Sequence, residues 1–441
     1  MSEGLESPQP SRVPLPEGTL PVATGLFLAG FTAYAFFKVG QVALGKEHFK
    51  PIVALWFTTF ALVPGFYMPI EQELGRAIAH RKALNQGSAP IVRKMIMLSL
   101  GLSSILIAAV LVASPWLTEH MFEDYWTVTL ALVVAFIAYA PMHMARGIVS
   151  GSGRFRAYGI IMGVDGLARI GSCVVLWVLG VENVGAYALA VVIAPLLAVA
   201  VVAIRKDLTQ EDGPVTSFAE ITPNLGWLLL GSVMGAALVN AGPLGVDVLA
   251  SSSEAAKVTA FGNGVLLSRV PLFLFQAVQA ALLPRLARLA AQGAFAEFKH
   301  GLSTLLKVVV GVAVLGTVGS FALGPWALKL VYGDGLDRRT LTLLALASGL
   351  YMLALSIAQA VIALHGHKYV AYGWLAAMLS FVGVTAVASD DLYLRVELGL
   401  VSGSTAAIII FAIGLRTLFA QGQTPDASLV AEAILDSPFG E

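Results

Sequence analysis

Five ionisable side chains lie inside long apolar stretches of the sequence, where a charge needs a specific reason to be present. They are Lys38, Asp165, Arg169, Asp247 and Arg269. A charged side chain at the centre of a bilayer costs roughly 2.5–3.5 kcal/mol on insertion scales, so it usually faces the protein interior or a water-filled cavity. These residues are therefore candidates for lining a substrate cavity, and ion pairing within the protein is the competing explanation.

Arg269 is the hardest of the five to explain by pairing. It lies near the middle of its apolar stretch and has no acidic residue three or four positions away. Pro271 follows it and favours a bend, because proline removes one backbone donor. A guanidinium can bind a phosphate through two parallel hydrogen bonds. We expect Arg269 to line a substrate cavity; if its partner is instead an acid of the protein, Asp247 on the preceding span is the first candidate.

The other four charges have simpler interpretations beside the functional one. Asp165 and Arg169 are four residues apart, in the acid-first order that favours an ion pair on one helix face. Asp247 lies near the end of its stretch and could reach water. Lys38 is six residues from the end of its stretch, so its ammonium could reach the membrane surface.

Four uncharged polar residues could line a cavity for a hydrated head group, and interhelical hydrogen bonding explains them at least as well. They are Asn240, Gln276, Gln279 and Gln359.

Membrane-spanning helices must position these residues. Apolar residues make up 57% of the 441-residue chain and charged residues only 12%, whereas soluble proteins carry about 25% charged residues. Apolar stretches of about twenty residues are typical of helices that cross a bilayer. The net charge of zero gives no sign of a nucleic-acid partner. We predict twelve spans, at 22–44, 51–70, 95–114, 126–145, 157–179, 184–204, 223–249, 257–283, 303–324, 340–364, 369–388 and 396–417.

The distribution of lysine and arginine between the loops predicts the orientation. Seventeen cations lie in the tails and loops on one side and seven on the other. Because cytoplasmic loops are enriched in lysine and arginine, both termini are predicted to be cytoplasmic.

The sequence contains an internal repeat that divides the spans into two groups of six. The Pro115-Trp116 pair after the third span matches Pro325-Trp326 after the ninth, and "SGRFRAYG" at 152–159 matches "GHKYVAYG" at 366–373. "LGKEHFK" at 44–50 likewise matches "SSSEAAK" at 251–257. Six is an even number, so the copies are parallel repeats with a binding site expected between them. The predicted division is a tail at 1–21, a first lobe at 22–204, a linker at 205–222, a second lobe at 223–417 and a tail at 418–441.

The seventh and eighth spans also carry a family resemblance. Glu254 in a small turn, followed by "SRVPLF" and "LLPRLARL", resembles the corresponding region of Wzx-type flippases for polysaccharides or lipid-linked oligosaccharides. These proteins belong to the multidrug/oligosaccharidyl-lipid/polysaccharide (MOP) exporter superfamily. The resemblance extends over about residues 22–417.

The resemblance implies an all-α membrane protein with twelve helices in two pseudo-symmetric six-helix lobes, similar to multidrug (MATE) exporters and peptidoglycan-precursor flippases. It implies a cavity lined mainly by spans 1, 2, 7 and 8, and alternating access between the lobes. The substrate would be a polyprenyl-diphosphate-linked saccharide, flipped from the inner to the outer leaflet of a bacterial plasma membrane. Polysaccharide assembly proteins would be partners. No arginine-rich first helix is present, which disfavours the peptidoglycan precursor.

Two alternatives remain open. A cation-coupled multidrug exporter of the same superfamily would need a buried acid, for which Asp165 and Asp247 are the candidates. A membrane-embedded polymerase or glycosyltransferase would need a large outer loop or an acidic cluster, and the longest predicted outer loop, near 325–339, is short. No phosphate-binding loop, H-E-x-x-H or G-x-S-x-G motif occurs. His365 and His367 have no neighbouring ligands, so we expect a non-enzyme without metal or cofactor.

Overall fold

The computed structural model describes residues 19–218, 225–272, 286, 289–290, 292–333 and 335–420. Within these ranges the chain forms twelve α-helices and no strand, which confirms the predicted all-α class. The helices are α1 (Thr19–Leu44), α2 (Lys50–Ala83), α3 (Ala89–Trp116), α4 (Trp126–Gly151), α5 (Phe155–Val178), α6 (Val184–Ile204), α7 (Leu225–Leu249), α8 (Ala255–Ser268), α9 (Phe295–Tyr332), α10 (Arg338–Ala363), α11 (His367–Val387) and α12 (Leu392–Ala420). All except α8 are long and apolar enough to cross a membrane.

Two helices are much longer than their predicted spans. Helix α2 has 34 residues and α9 has 38, which correspond to roughly 51 and 57 Å, against about 30 Å of hydrocarbon. The extra turns of α2, beyond residue 70, are rich in charged residues. The predicted span, which is based on apolar runs, therefore ends at residue 70. They remain helical because Glu71 and its neighbours find partners within the protein.

Helix pairing is the same in the two halves of the chain. In the first half α1 packs on α5, α5 on α6, α4 on α6, and α2 and α3 on α4. In the second half the pairs are α7 with α11, α11 with α12, α10 with α12, and α8 and α9 with α10. Each pair of the second half is thus a pair of the first shifted by six helices, as the sequence repeat predicts. Trp116 and Trp326 both lie exposed near the end of the third helix of their half.

Glycines bring α2 and α4 unusually close. A Cβ atom added to Gly151 would lie 2.5 Å from the carbonyl oxygen of Gly75, and one added to Gly147 would lie 2.8 Å from that of Glu71. Small residues one turn apart allow such backbone contact between membrane helices. The contact places Glu71 of α2 directly against the polar face of α4.

Helix α7 continues through a sequence that favours a break or a bend, around Gly242, Pro243 and Gly245. It runs as one helix from Leu225 to Leu249, with Pro243 inside it. The backbone group left without a partner by Pro243 is satisfied by a neighbouring helix, as described below.

Candidate functional site

Four helices, α1 and α2 from the first half and α7 and α8 from the second, form the contact between the halves, here called the seam. In α2 and α7 the backbones approach closely, since a Cβ atom on Gly65 would lie 3.0 Å from the Cα of Val233. Between α1 and α8, Gln41 and Asn263 exchange two buried hydrogen bonds of 2.7 and 3.0 Å. These are the helices that the sequence resemblance implied would line the cavity.

Two prolines supply acceptors at the seam. A proline within a helix cannot donate to the carbonyl four residues earlier, so that oxygen is left free. Pro64 leaves the carbonyl of Phe60 free, and this oxygen accepts a 2.9 Å hydrogen bond from the Asn240 amide across the seam. Pro243 leaves the carbonyl of Val239 free, and this oxygen accepts from the Arg269 guanidinium.

Arg269 lies at the centre of this arrangement. Helix α8 ends at Ser268, so Arg269 occupies its C-cap, two residues before Pro271. The guanidinium donates to Asn240 Oδ1 at 3.2 Å and lies 5.3 Å from the ring centroid of Phe57 on α2. No carboxylate of the described residues pairs with it. Arg269 is therefore a buried cation that is held by neutral acceptors and an aromatic ring at the seam.

Asp247 does not pair with Arg269. It lies eight residues along α7 from Val239, which is about 12 Å of helix. Its Oδ1 is instead 3.3 Å from Lys50 Nζ, and Lys50 Nζ also lies 3.1 Å from Glu123 Oε1. The Asp247 side chain is 1% exposed, which corrects the expectation that it could simply reach water. Lys50 thus ties the start of α2 to the end of α7 by a cross-half ion pair.

Asp165 and Arg169 form an ion pair inside the first half, at 2.5 Å. Arg169 also donates to the hydroxyl of Tyr139 at 3.2 Å, and its guanidinium lies 5.1 Å from the Trp56 ring centroid. Both charged side chains are at most 5% exposed. The predicted pair is present, and Trp56 on α2 brings it next to a helix of the seam.

A second buried ionic cluster, absent from the sequence-based candidates, joins α2, α4 and α5. Glu71 Oε2 is 2.8 Å from His143 Nδ1, and Glu71 Oε1 is 3.1 Å from both Arg146 Nη2 and the Tyr158 hydroxyl. Arg146 Nε donates to the Tyr158 hydroxyl at 3.0 Å, and the His143 ring stacks on Tyr67. His143 within the fourth apolar span was the available sequence signal.

The remaining candidates have less defined settings. Lys38 and Gln359 are half-buried, on α1 and α10. Gln276 and Gln279 lie outside the described residues. The described parts of the chain contain no group of three or more histidine, cysteine or acidic residues suited to a metal ion.

No protein-family profile and no curated protein sequence matches the chain, but the fold matches solved MATE transporters over almost its whole length. An outward-facing multidrug resistance MATE family transporter of the MOP superfamily aligns with a TM-score of 0.70 at 15% identity, covering 91% of this chain and 94% of that one. An inward-facing one aligns at 0.62 and 16%, covering 93% and 96%. The Vibrio cholerae MATE transporter VcmN in its bent form aligns at 0.63 and 15%, covering 92% and 100%.

These likenesses define the class of fold. The chain is a multi-pass membrane protein with the fold of MATE transporters, and the neighbours are transporters and not enzymes.

Proposed function

We propose that this protein is a cation-coupled exporter of the MOP superfamily that works by alternating access between its two halves. The observation that carries the proposal is the MATE fold, found with solved relatives in both outward-facing and inward-facing conformations. A coupled exporter also needs a buried acid that binds the driving cation. Glu71 and Asp165 are candidate acids in the first half, since both are buried and each lies beside an arginine.

Alternating access requires that contacts across the seam break and re-form. The Lys50–Asp247 ion pair and the Gln41–Asn263 amide pair would open when the halves separate at that end of the seam. The polar groups of these contacts would then be exposed to water, which hydrates them and so limits the cost of opening. Helix α2 contacts α7 through its first half and contains the buried Glu71 further along, so it could transmit cation binding to the seam.

The test is transport by the purified protein in liposomes. Efflux of a fluorescent cationic dye driven by an imposed proton gradient or sodium gradient is expected, with Glu71→Gln and Asp165→Asn each reducing it at least tenfold. Glu254→Gln, at an exposed turn, is the matched carboxylate control and is expected to transport normally. Absence of gradient-driven transport for a panel of cationic dyes would contradict the exporter proposal.

A flippase for a polyprenyl-diphosphate-linked saccharide is the second candidate, and Arg269 is the observation that favours it. A buried guanidinium without a carboxylate among the described residues suits a substrate that carries phosphate. Deleting the protein from its host would then cause one lipid-linked saccharide to accumulate in the inner leaflet.

Arg269 variants test the same candidate. Arg269→Ala is expected to stop export of that saccharide while normal protein amounts remain, and Arg269→Lys to restore only part, because an ammonium lacks the bidentate fork. Normal export by Arg269→Ala would exclude this role. If Arg269 paired directly with Asp247, adding Asp247→Ala to Arg269→Ala would restore the amount of protein. This rescue is not expected, because Asp247 pairs with Lys50.

We further propose a bacterial plasma membrane location with both termini cytoplasmic, on the basis of the loop cations. Single cysteines at position 337 are expected to react with an impermeant reagent from outside intact cells, and those at position 86 are not. The native Cys173 is buried, so its background labelling is expected to be low. Labelling of position 86 alone would reverse the orientation.

A further inference from the structure

A groove of about 570 Å³ lies between the beginning of α9 and the end of α12, outside the seam. Its walls are apolar and its rim is basic. The residues that line it are Lys299, Leu302, Ser303, Leu306, Lys307 and Val310 of α9, together with Leu415, Arg416 and Phe419 of α12. Those of α9 recur every three or four residues, so they form one continuous face of the helix.

The charge of the groove has a single sign. Lys299, Lys307 and Arg416 are all exposed, and none of them pairs with a carboxylate of the described residues. Among the described residues, no acidic side chain lines the groove. Three cations around an apolar wall complement a ligand that has an anionic head and an apolar body.

Two of the three cations, Lys307 and Arg416, lie at the depth expected for lipid head groups. Lys307 and Lys329 are 22 positions apart on α9, with no other charge between them. This distance is about 33 Å of helix and matches a hydrocarbon core of about 30 Å. Arg416 is 21 positions from Arg395 on α12, or about 32 Å. Lys307 and Arg416 therefore each mark the boundary of the apolar layer on the same side of the membrane, and Lys299 lies further out.

Aromatic contacts join α9 and α12 beside the groove. The Phe419 ring of α12 contacts Phe295 and Phe298 of α9, with centroids 6.3 and 5.7 Å apart. Lys299 Nζ lies 4.6 Å from the centroid of Phe419, an arrangement that holds the ammonium at the rim by a cation–π interaction. Leu306 and Val310 line the groove further along α9.

We propose that this groove binds an anionic phospholipid of the leaflet on the side where α9 begins. The phosphate of the head group interacts with Lys299, Lys307 and Arg416, and one acyl chain lies along Leu306 and Val310. Basic pockets between membrane helices are established binding sites for anionic lipid head groups. Such a lipid would join α9 to α12, and its binding does not depend on what the protein transports.

Lipid binding to the purified full-length protein tests the proposal. Native mass spectrometry with phosphatidylglycerol and phosphatidylcholine is expected to show preferential binding of phosphatidylglycerol. Lys299→Gln, Lys307→Gln and Arg416→Gln are each expected to lower the apparent affinity for it roughly fivefold, as one cation near an anionic head group is worth about one such factor. The triple variant is expected to bind both lipids equally.

Lys329→Gln is the matched control, because Lys329 is an exposed cation on the same helix at the opposite membrane boundary. It is expected to keep the preference, and unchanged thermal unfolding of the triple variant in phosphatidylcholine would show that it still folds. A preserved phosphatidylglycerol preference in the triple variant would overturn the proposal. So would a preference that emerges only after residues 421–441 are removed, because the chain's own end would then be the occupant.

Discussion

The two matched turns of the repeat, before α2 and before α8, contain the same lysine in opposite environments. Lys50 is 5% exposed and pairs with Glu123 and Asp247, the latter across the seam. Lys257, 207 positions later, is 59% exposed and pairs locally with Glu254 at 2.8 Å. The first turn therefore contributes an ion pair between the halves, whereas the second contributes only a local contact at the start of its helix.

The interiors of the two halves differ in the same direction. The repeat offset of 214 residues pairs Asp165 with Leu379 and Arg169 with Gly383, neither of which can ionise. The first half buries two complete ionic clusters, whereas Glu397 and the cross-seam Asp247 are the buried carboxylates in the described part of the second. Duplicated helix pairing therefore coexists with ionic chemistry concentrated in one half, as expected if one half binds the driving cation.

Among the variants that test this asymmetry, Glu71→Ala is expected to have the largest effect. The change leaves Arg146 buried without its carboxylate, and removing one partner of a buried ion pair costs about 3–5 kcal/mol in the free energy of unfolding. We expect a marked loss of protein in the membrane and a lower unfolding temperature in one fixed detergent.

The matched control for Glu71→Ala is the double variant Glu71→Leu with Arg146→Met. Because it removes both charges and keeps apolar volume, it is expected to recover much of the lost stability. If the single variant is as stable as the wild-type protein, the first half does not depend on its ionic cluster, and the contrast between the halves loses its energetic meaning.

The lysines of the matched turns give the second test. Lys50→Gln leaves Asp247 buried without a counter-charge, so we expect a loss of roughly 3 kcal/mol. Lys257→Gln at the exposed turn is expected to leave the unfolding temperature unchanged within error, since exposed pairs contribute little. Similar losses for both variants would show that the two turns are equivalent after all.

The pKa of Glu254 indicates the pH at which the two lysine variants should be compared. Hydrogen bonds from Lys257 and Ser251 lower the pKa of the Glu254 carboxyl to about 2 from its ordinary 4.5. Because the folded-state pKa is lowered, the contribution of the pair is present above pH 4.5 and is lost as the pH falls toward 2. At pH 7 the Glu254–Lys257 pair is therefore charged, so unfolding temperatures measured there include its full contribution.

Much of the fold was predictable from hydropathy and the repeat, because every predicted span overlaps a helix, although α2 and α9 extend well beyond their spans. The extension of α2 beyond residue 70 was not, because its charges interrupt the apolar pattern. From sequence alone, a carboxylate such as Glu71 is expected at the surface, because its partners on α4 and α5 are distant in the chain.

The site was predictable only where local spacing determines the contact. Asp165 and Arg169, four residues apart on one helix, could be paired from sequence, whereas the partners of Arg269 and Asp247 depend on packing between distant helices. One usable rule was available in the sequence. Pro64 and Pro243 each free the carbonyl four residues earlier, and both of those oxygens accept hydrogen bonds at the seam.

The smallest effect is expected from a pair of tyrosines that the repeat aligns, Tyr158 and Tyr372. The Tyr158 hydroxyl donates to Glu71 and accepts from Arg146, so Tyr158→Phe is expected to cost about 1.5 kcal/mol, the lower end for hydrogen bonds to charged groups. Tyr372 is 49% exposed, and its ring packs edge-on against Trp227, a contact that phenylalanine keeps. Tyr372→Phe is therefore expected to unfold at the wild-type temperature. A lower unfolding temperature for Tyr158→Phe alone would show that one hydroxyl group of the first half contributes to stability and its counterpart in the second half does not. Equal effects of the two changes would contradict the contrast between the halves.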